Sequence, residues 1–99
     1  MEIKIEKNSD PMNIAITGDI EMMTIKDLKT KLLDIGSSED KDIELDLSGV
    51  NYIDSSGIGV LISLLKIQKS KGKYFKITKI SPKVSNVLKL SSLSDIFEI

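Results

Sequence analysis

Residues 43–70 read IELDLSGVNYIDSSGIGVLISLLKIQKS, and the change of period within this stretch sets the fold. Ile43, Leu45 and Leu47 alternate with Glu44 and Asp46, the two-residue period of a strand with one wet face, and the run ends near Gly49. From Ser56 to Ser70 the pattern turns helical, with two apolar stripes, Ile58/Leu61/Ile62/Leu65 and Val60/Leu64/Ile67. Lys69, Lys71 and Gly72 close it in the manner of a helix C-terminus. One sheet face does not account for so much apolar surface, and the second stripe reads as core rather than as a docking face. Tyr74-Phe75-Lys76-Ile77-Thr78 then returns to a strand, so strand, helix and strand follow one another as in a parallel crossover.

Toward the N-terminus, Ile3 and Ile5 alternate with Glu2, Lys4 and Glu6. Asn8-Ser9-Asp10-Pro11 supplies turn chemistry, and Met12, Ile14 and Ile16 resume the alternation, which predicts a hairpin. After Gly18-Asp19, Thr24 with Asp27 resembles a capping box, and Ile25, Leu28, Leu32 and Ile35 hold helical spacing up to Gly36. Toward the C-terminus, Ser81-Pro82 is a cap followed by proline at the first helical position, with Val84, Val87, Leu88 and Leu90 as the apolar face of a third helix. Ile96-Phe97-Glu98-Ile99 is expected to form a short closing strand. The order is β-β-α-β-α-β-α-β: one α/β domain over residues 1–99, a mixed sheet with helices packed on it and its later strands parallel. Strand order is not legible in the sequence.

Composition excludes much chemistry. The 99 residues contain no Cys, which removes thiol nucleophiles, disulfides and Cys-based zinc sites, and no His, which removes the commonest general base and most transition-metal sites. No metal, cofactor or catalytic residue is expected. The 14 lysines and 15 acids leave a net charge of −1, so nothing global attracts nucleic acid or an anionic membrane. The acidic, strand-like start lacks the marks of a signal peptide, and the near-apolar run Ile58 to Leu65 is far shorter than the ~20 residues of a membrane span. A cytoplasmic protein with no membrane segment is expected. Charge is nevertheless uneven: residues 1–54 carry 13 acids and 6 lysines, whereas residues 55–94 carry 8 lysines and no acid. Such a bipolar surface can steer a charged partner, although ordinary solvated lysines explain it as well.

The most unusual local sequence is Asp54-Ser55-Ser56-Gly57-Ile58-Gly59. Asp and Ser are strong N-caps, because a side-chain oxygen satisfies an orphan amide. One cap requires one residue, yet here a carboxylate and two hydroxyls precede two glycines in the first turns, each costing roughly 1 kcal/mol of helix stability. Close approach of something to the backbone and tight packing of the helix on the sheet explain those glycines equally well. Enzyme motifs fail: Gly57 and Gly59 lack the third glycine of a dinucleotide fingerprint, no GxxxxGK[ST] occurs, and Ser63-x-x-Lys66 sits inside the helix pattern without its companion motifs. Ser55 beside Asp54 has no His to relay a proton.

Asp54-Ser55-Ser56-Gly57-Ile58-Gly59-Val60-Leu61 resembles the signature of the STAS domain family, in particular its stand-alone bacterial anti-sigma factor antagonists. The similarity extends over nearly the whole chain: Gly18-Asp19-Ile20-Glu21 occupies the family's Gly-x-Leu-Asp position, Asp46-Leu47-Ser48 its Asp-Leu-Ser, and Ser81-Pro82 with Leu88 and Ile96-Phe97 its last helix and strand. Glu21 stands where the family usually has Asp, which keeps the charge and lengthens the arm. The chain ends at Ile99 where many relatives continue into a further helix, so part of the sheet is expected to be less covered.

The resemblance implies a partner-switching protein without enzymatic activity, a monomer when unbound. Ser55 would be phosphorylated by an ATP-binding anti-sigma factor of the GHKL kinase type. The unphosphorylated form would bind that kinase and free the sigma factor, and a PP2C-type phosphatase would reset it. Glu21, Asp54, Ser55, Ser56, Gly57, Ile58 and Gly59 are the expected partner-binding residues. The alternative is a STAS subunit that docks on a transporter or an ABC ATPase and is never phosphorylated. A small lyase or hydrolase using Asp54 and a lysine ranks last.

Overall fold

Ile3 and Ile5 stand opposite Ile16 and Ile14 in the antiparallel pair of β1 (Glu2–Glu6) and β2 (Met12–Thr17), so the predicted hairpin is present and presents one apolar face. The computed structural model describes residues 1–98, and in them β2 is followed by α1 (Ile25–Ser38), β3 (Ile43–Gly49), α2 (Ser55–Ser70), β4 (Phe75–Ile80) and α3 (Pro82–Leu90). β2 pairs parallel with β3, and β3 with β4, giving the sheet order β1-β2-β3-β4. Strand order, illegible in the sequence, thus repeats chain order.

All three helices cover one face of the sheet. Met12, Ile14 and Ile16 of β2, Ile43, Leu45 and Leu47 of β3, and Phe75 and Ile77 of β4 are buried in one cluster with Leu28, Leu32 and Ile35 of α1, Val60, Leu61, Leu64 and Leu65 of α2, and Val84 and Leu88 of α3. The opposite face is open and polar, with Lys4, Glu6, Asn13, Ala15, Glu44, Asp46 and Lys79 around a shallow hollow of about 330 Å³. Of the second stripe of α2, Val60 and Leu64 are core, as expected, while Ile67 is only half-buried; a Cβ on Gly36 of α1 would lie 2.8 Å from Leu64 Cδ1.

Local expectations fared unequally. The Ser81 hydroxyl accepts from Val84 N with Pro82 at the helix start, as its sequence predicts. Thr24 makes no capping box with Asp27; its hydroxyl instead accepts from Glu21 N and donates to Asp19 O, because the chain turns sharply just before α1 and its own backbone offers nearer partners. α1 runs past Gly36 to Ser38, and Leu90 is 79% exposed rather than part of the α3 face. The closing strand is not formed by residues 96–98, and Ile99 lies outside the described residues. Phe97 N donates to Leu93 O and Glu98 N to Asp95 O, both Ser92 and Glu98 have left-handed φ near 60°, and Phe97 packs edge-on to Phe75 at 6.2 Å between ring centroids. Burying one aromatic ring from a coiled segment satisfies the apolar signal that a strand would have explained.

Candidate functional site

Parallel neighbours place the loops at their C-terminal ends side by side. The segment after β2 and the segment after β3 form an isolated parallel bridge between Ile20 and Ile53, fixed by Ile20 N to Tyr52 O at 2.9 Å and Asp54 N to Ile20 O at 3.1 Å. Both isoleucines are buried, so their neighbours Asp19, Glu21, Tyr52 and Asp54 lie on the outer side of the bridge. This ledge leads directly into the first turn of α2.

Asp54 is the N-cap of α2 and does more than cap. Its Oδ1 accepts from Ser56 N at 3.0 Å, from Gly57 N at 3.1 Å and from the Ser56 hydroxyl, while Oδ2 accepts from Met22 N at 3.1 Å. One carboxylate therefore ties the start of α2 to the loop between β2 and α1. The Ser56 hydroxyl and then the Gly57 amide hold the Asp54 carboxyl below its usual range, with lesser help from the Ser56 and Met22 amides against partial desolvation. Asp46 behaves alike: Ser48 donates its hydroxyl at 2.6 Å and its amide at 2.8 Å, which lowers the Asp46 carboxyl.

The sequence-predicted residues take different places. Ser55 is the first helical residue and exposed, whereas Ser56 is half-buried with its hydroxyl engaged by Asp54. Of the two serines, Ser55 is the one open to approach. Gly57 is buried, and a Cβ there would lie 2.5 Å from Ile20 Cγ2 and 2.7 Å from Ile53 Cγ1, so its glycine answers to packing against the ledge. Gly59 is exposed and a Cβ there would meet nothing within 4 Å. Ile58, half-buried, packs against the core. Glu21 does not reach across to Ser55; its Oε1 accepts from Met23 N at 3.0 Å, folding the arm onto its own loop. The longer side chain in place of Asp is used in this way.

Three exposed apolar residues border the site and were missed by sequence reasoning: Met22 at 77%, Met23 at 86% and Tyr52 at 54%. Their signal was the pair of methionines outside any helical or strand period, next to the charged Glu21. Met22, Met23 and Tyr52 thus leave large apolar side chains in water beside Glu21 and Asp54. The ledge carries Asp19, Glu21 and Asp54, while Lys66, Lys69, Lys71 and Lys73 cluster near the far end of the 16-residue α2, about 24 Å long. The end that bears Ser55 is therefore acidic. No helix among the described residues is long and apolar enough to cross a membrane.

The chain is similar to known proteins over its whole length. A 25% identical anti-sigma-B factor antagonist of Bacillus subtilis (strain 168) aligns with all of this chain and 90% of its own length. One of Listeria monocytogenes is 29% identical, again over the whole chain and 86% of its own length. Among solved structures, the anti-sigma factor antagonist SpoIIAA in its unphosphorylated form superposes with a TM-score of 0.81 at 17% identity, covering 95% of this chain and 84% of that one, which shows a common fold. The family described as "Mlab, STAS domain" matches residues 3–98, and this chain belongs to the STAS domain family.

Proposed function

We propose that this chain is an anti-sigma factor antagonist controlled by phosphorylation of Ser55: unmodified, it binds an ATP-binding anti-sigma kinase of the GHKL type and frees the sigma factor; phosphorylated, it does not bind. The observation that carries this reading is the pairing of an exposed Ser55 hydroxyl with a helix start whose amides are already occupied by Asp54. A phosphoryl group on Ser55 adds about −1.5 to −2 charges beside Asp54 and finds the Ser56 and Gly57 amides taken, so it stays in water. The helix dipole tolerates it, so the fold survives. A partner that covers this spot must strip the phosphate of solvent, which costs tenfold or more in affinity without any refolding. The names of the full-length relatives support the antagonist role.

Glu21, Asp54, Ser55, Ser56, Ile58 and Gly59 belong to the docking face in this reading, and Gly57 supports it from below. A PP2C-type phosphatase would reset Ser55, and the protein would work in the cytoplasm. The test is an affinity pull-down from lysate of the source bacterium with wild type, Ser55→Ala and Ser55→Asp, the retained proteins being identified by mass spectrometry. A GHKL-type ATPase retained by wild type and Ser55→Ala and lost with Ser55→Asp is the expected result. Equal retention by all three refutes the switch, and a transporter ATPase held equally by all three favours the unphosphorylated subunit instead.

A further inference from the structure

The two glycines of the motif are not equivalent. Gly57 has its Cβ position filled by Ile20 and Ile53, so the fold itself demands glycine there. Nothing among the described residues demands it at Gly59, where the Cβ position is open and a glycine merely weakens the helix. Residues 55 and 59 are one turn apart on the solvent face of α2, about 6 Å along the axis. Because Cα–Cβ bonds in a helix tilt toward the N-terminus, a side chain at position 59 would lie over the turn that carries Ser55. Its absence leaves the exposed Ser55 uncovered from the side of the second turn.

We propose that Gly59 is an access notch, kept free of a side chain so that a kinase active site can reach Ser55 Oγ across the first turn of α2. The inference rests on the phosphorylation reading above and extends it by assigning Gly59 a positioning role distinct from that of Gly57. In the step concerned, Ser55 Oγ attacks the γ-phosphorus of ATP, the new Oγ–P bond forms as the bond to the β-phosphate bridging oxygen breaks, ADP leaves, and the hydroxyl proton passes to a base of the kinase. A side chain at 59 stands in the path of that approach, and a displacement of about 1 Å in such a reaction costs up to ~100-fold in rate.

The test uses the full chain with the GHKL-type ATPase retained by Ser55→Ala, purified and supplied with ATP and Mg²⁺, following phosphate on Ser55 by intact mass. Gly59→Ala should slow transfer several-fold and Gly59→Leu about 100-fold, while both melt at or above the wild-type temperature because each removes a helical glycine. Lys66→Leu, which puts the same side chain further along α2, should leave the rate unchanged. If Gly59→Leu is phosphorylated as fast as wild type, the notch is refuted and the switch stands. If wild type itself receives no phosphate from any such ATPase, the phosphorylation reading falls and takes the notch with it.

Discussion

Replacing Gly57 by Ala inserts one methyl group at the junction that holds the ledge against α2. The new Cβ would lie 2.5 Å from Ile20 Cγ2, 2.7 Å from Ile53 Cγ1 and 3.2 Å from Ile53 Cδ1, when ordinary contact begins near 3.4 Å. Both neighbours are β-branched, so the first two of these carbons move only if χ1 rotates, and χ1 is stiff in such residues. Their backbones are pinned by the Ile20–Tyr52 and Asp54–Ile20 hydrogen bonds, and both side chains are 2% exposed or less. Overpacking of this kind costs about 1 to 3 kcal/mol, against which Ala gains about 1 kcal/mol of helix propensity. Two contacts under 3.0 Å put the overpacking in the upper part of that range, about 2 to 3 kcal/mol, so the net loss is about 1 to 2 kcal/mol, which for a domain of this size lowers the melting temperature by roughly 5 to 15 °C. Thermal unfolding followed by circular dichroism reads this directly, and exchange of the Met22 amide should accelerate as the loop is pushed from Asp54. A Gly57→Ala protein that melts at or above wild type would falsify the packing account of this glycine.

Three other perturbations test the structure elsewhere. Gln68 is fully buried and its Nε2 donates to Lys41 O at 2.8 Å and to Tyr74 O at 3.0 Å, joining the entries of β3 and β4; Gln68→Leu should cost about 1 to 3 kcal/mol in urea unfolding, and an unchanged midpoint would show those bonds to be worth nothing. Because the folded-state carboxyls of Asp54 and Asp46 are lowered, the stability they supply is complete above the unfolded carboxylate range near 4 and is lost as pH falls through their folded values. Asp54→Asn should therefore flatten the acid limb of the stability profile, and a wild-type-like acid limb in that variant would contradict the assignment. Tyr74 is pushed up to about 12 by the hydrogen bond from its hydroxyl to Glu44, with desolvation and nearby carboxylates adding to it, so the stability linked to its neutral form persists below pH 10 and disappears as pH rises toward 12. An absorbance titration should show Tyr74 ionising only toward pH 12, and Glu44→Gln should bring its ionisation down toward the ordinary phenol range.

What the sequence disclosed was whatever depends on near neighbours along the chain. Alternation in Ile43–Leu47 and Met12–Ile16 located strands whose apolar residues are indeed buried together, and Ser81-Pro82 announced its cap because that geometry spans four residues. Thr24 failed for the same kind of reason in reverse: the capping pattern was present, but the preceding turn gave the hydroxyl closer partners at Glu21 and Asp19. Phe97 was misread because its burial is set by Phe75, far away in the chain, and no local period encodes that contact. At the site, the motif pointed to Asp54 and Ser55, but not to the reach of Asp54 to Met22 nor to the difference between Gly57 and Gly59. Those properties belong to the meeting of two loops, each of which looks unremarkable alone.

The sheet's order, β1-β2-β3-β4, has a consequence for assembly. Each strand pairs with the one made just before it, so no closure between neighbouring strands spans more than a single helix crossover, and the entropy lost in closing it is limited accordingly. On a growing chain, β2, α1, β3 and α2 are complete by Ser70, and with them every residue of the Ser55 ledge; β4 and α3 are added to a sheet that already exists. The surface that would meet a partner is in this sense the older part of the molecule at each synthesis, and the later residues close the remaining side of its core.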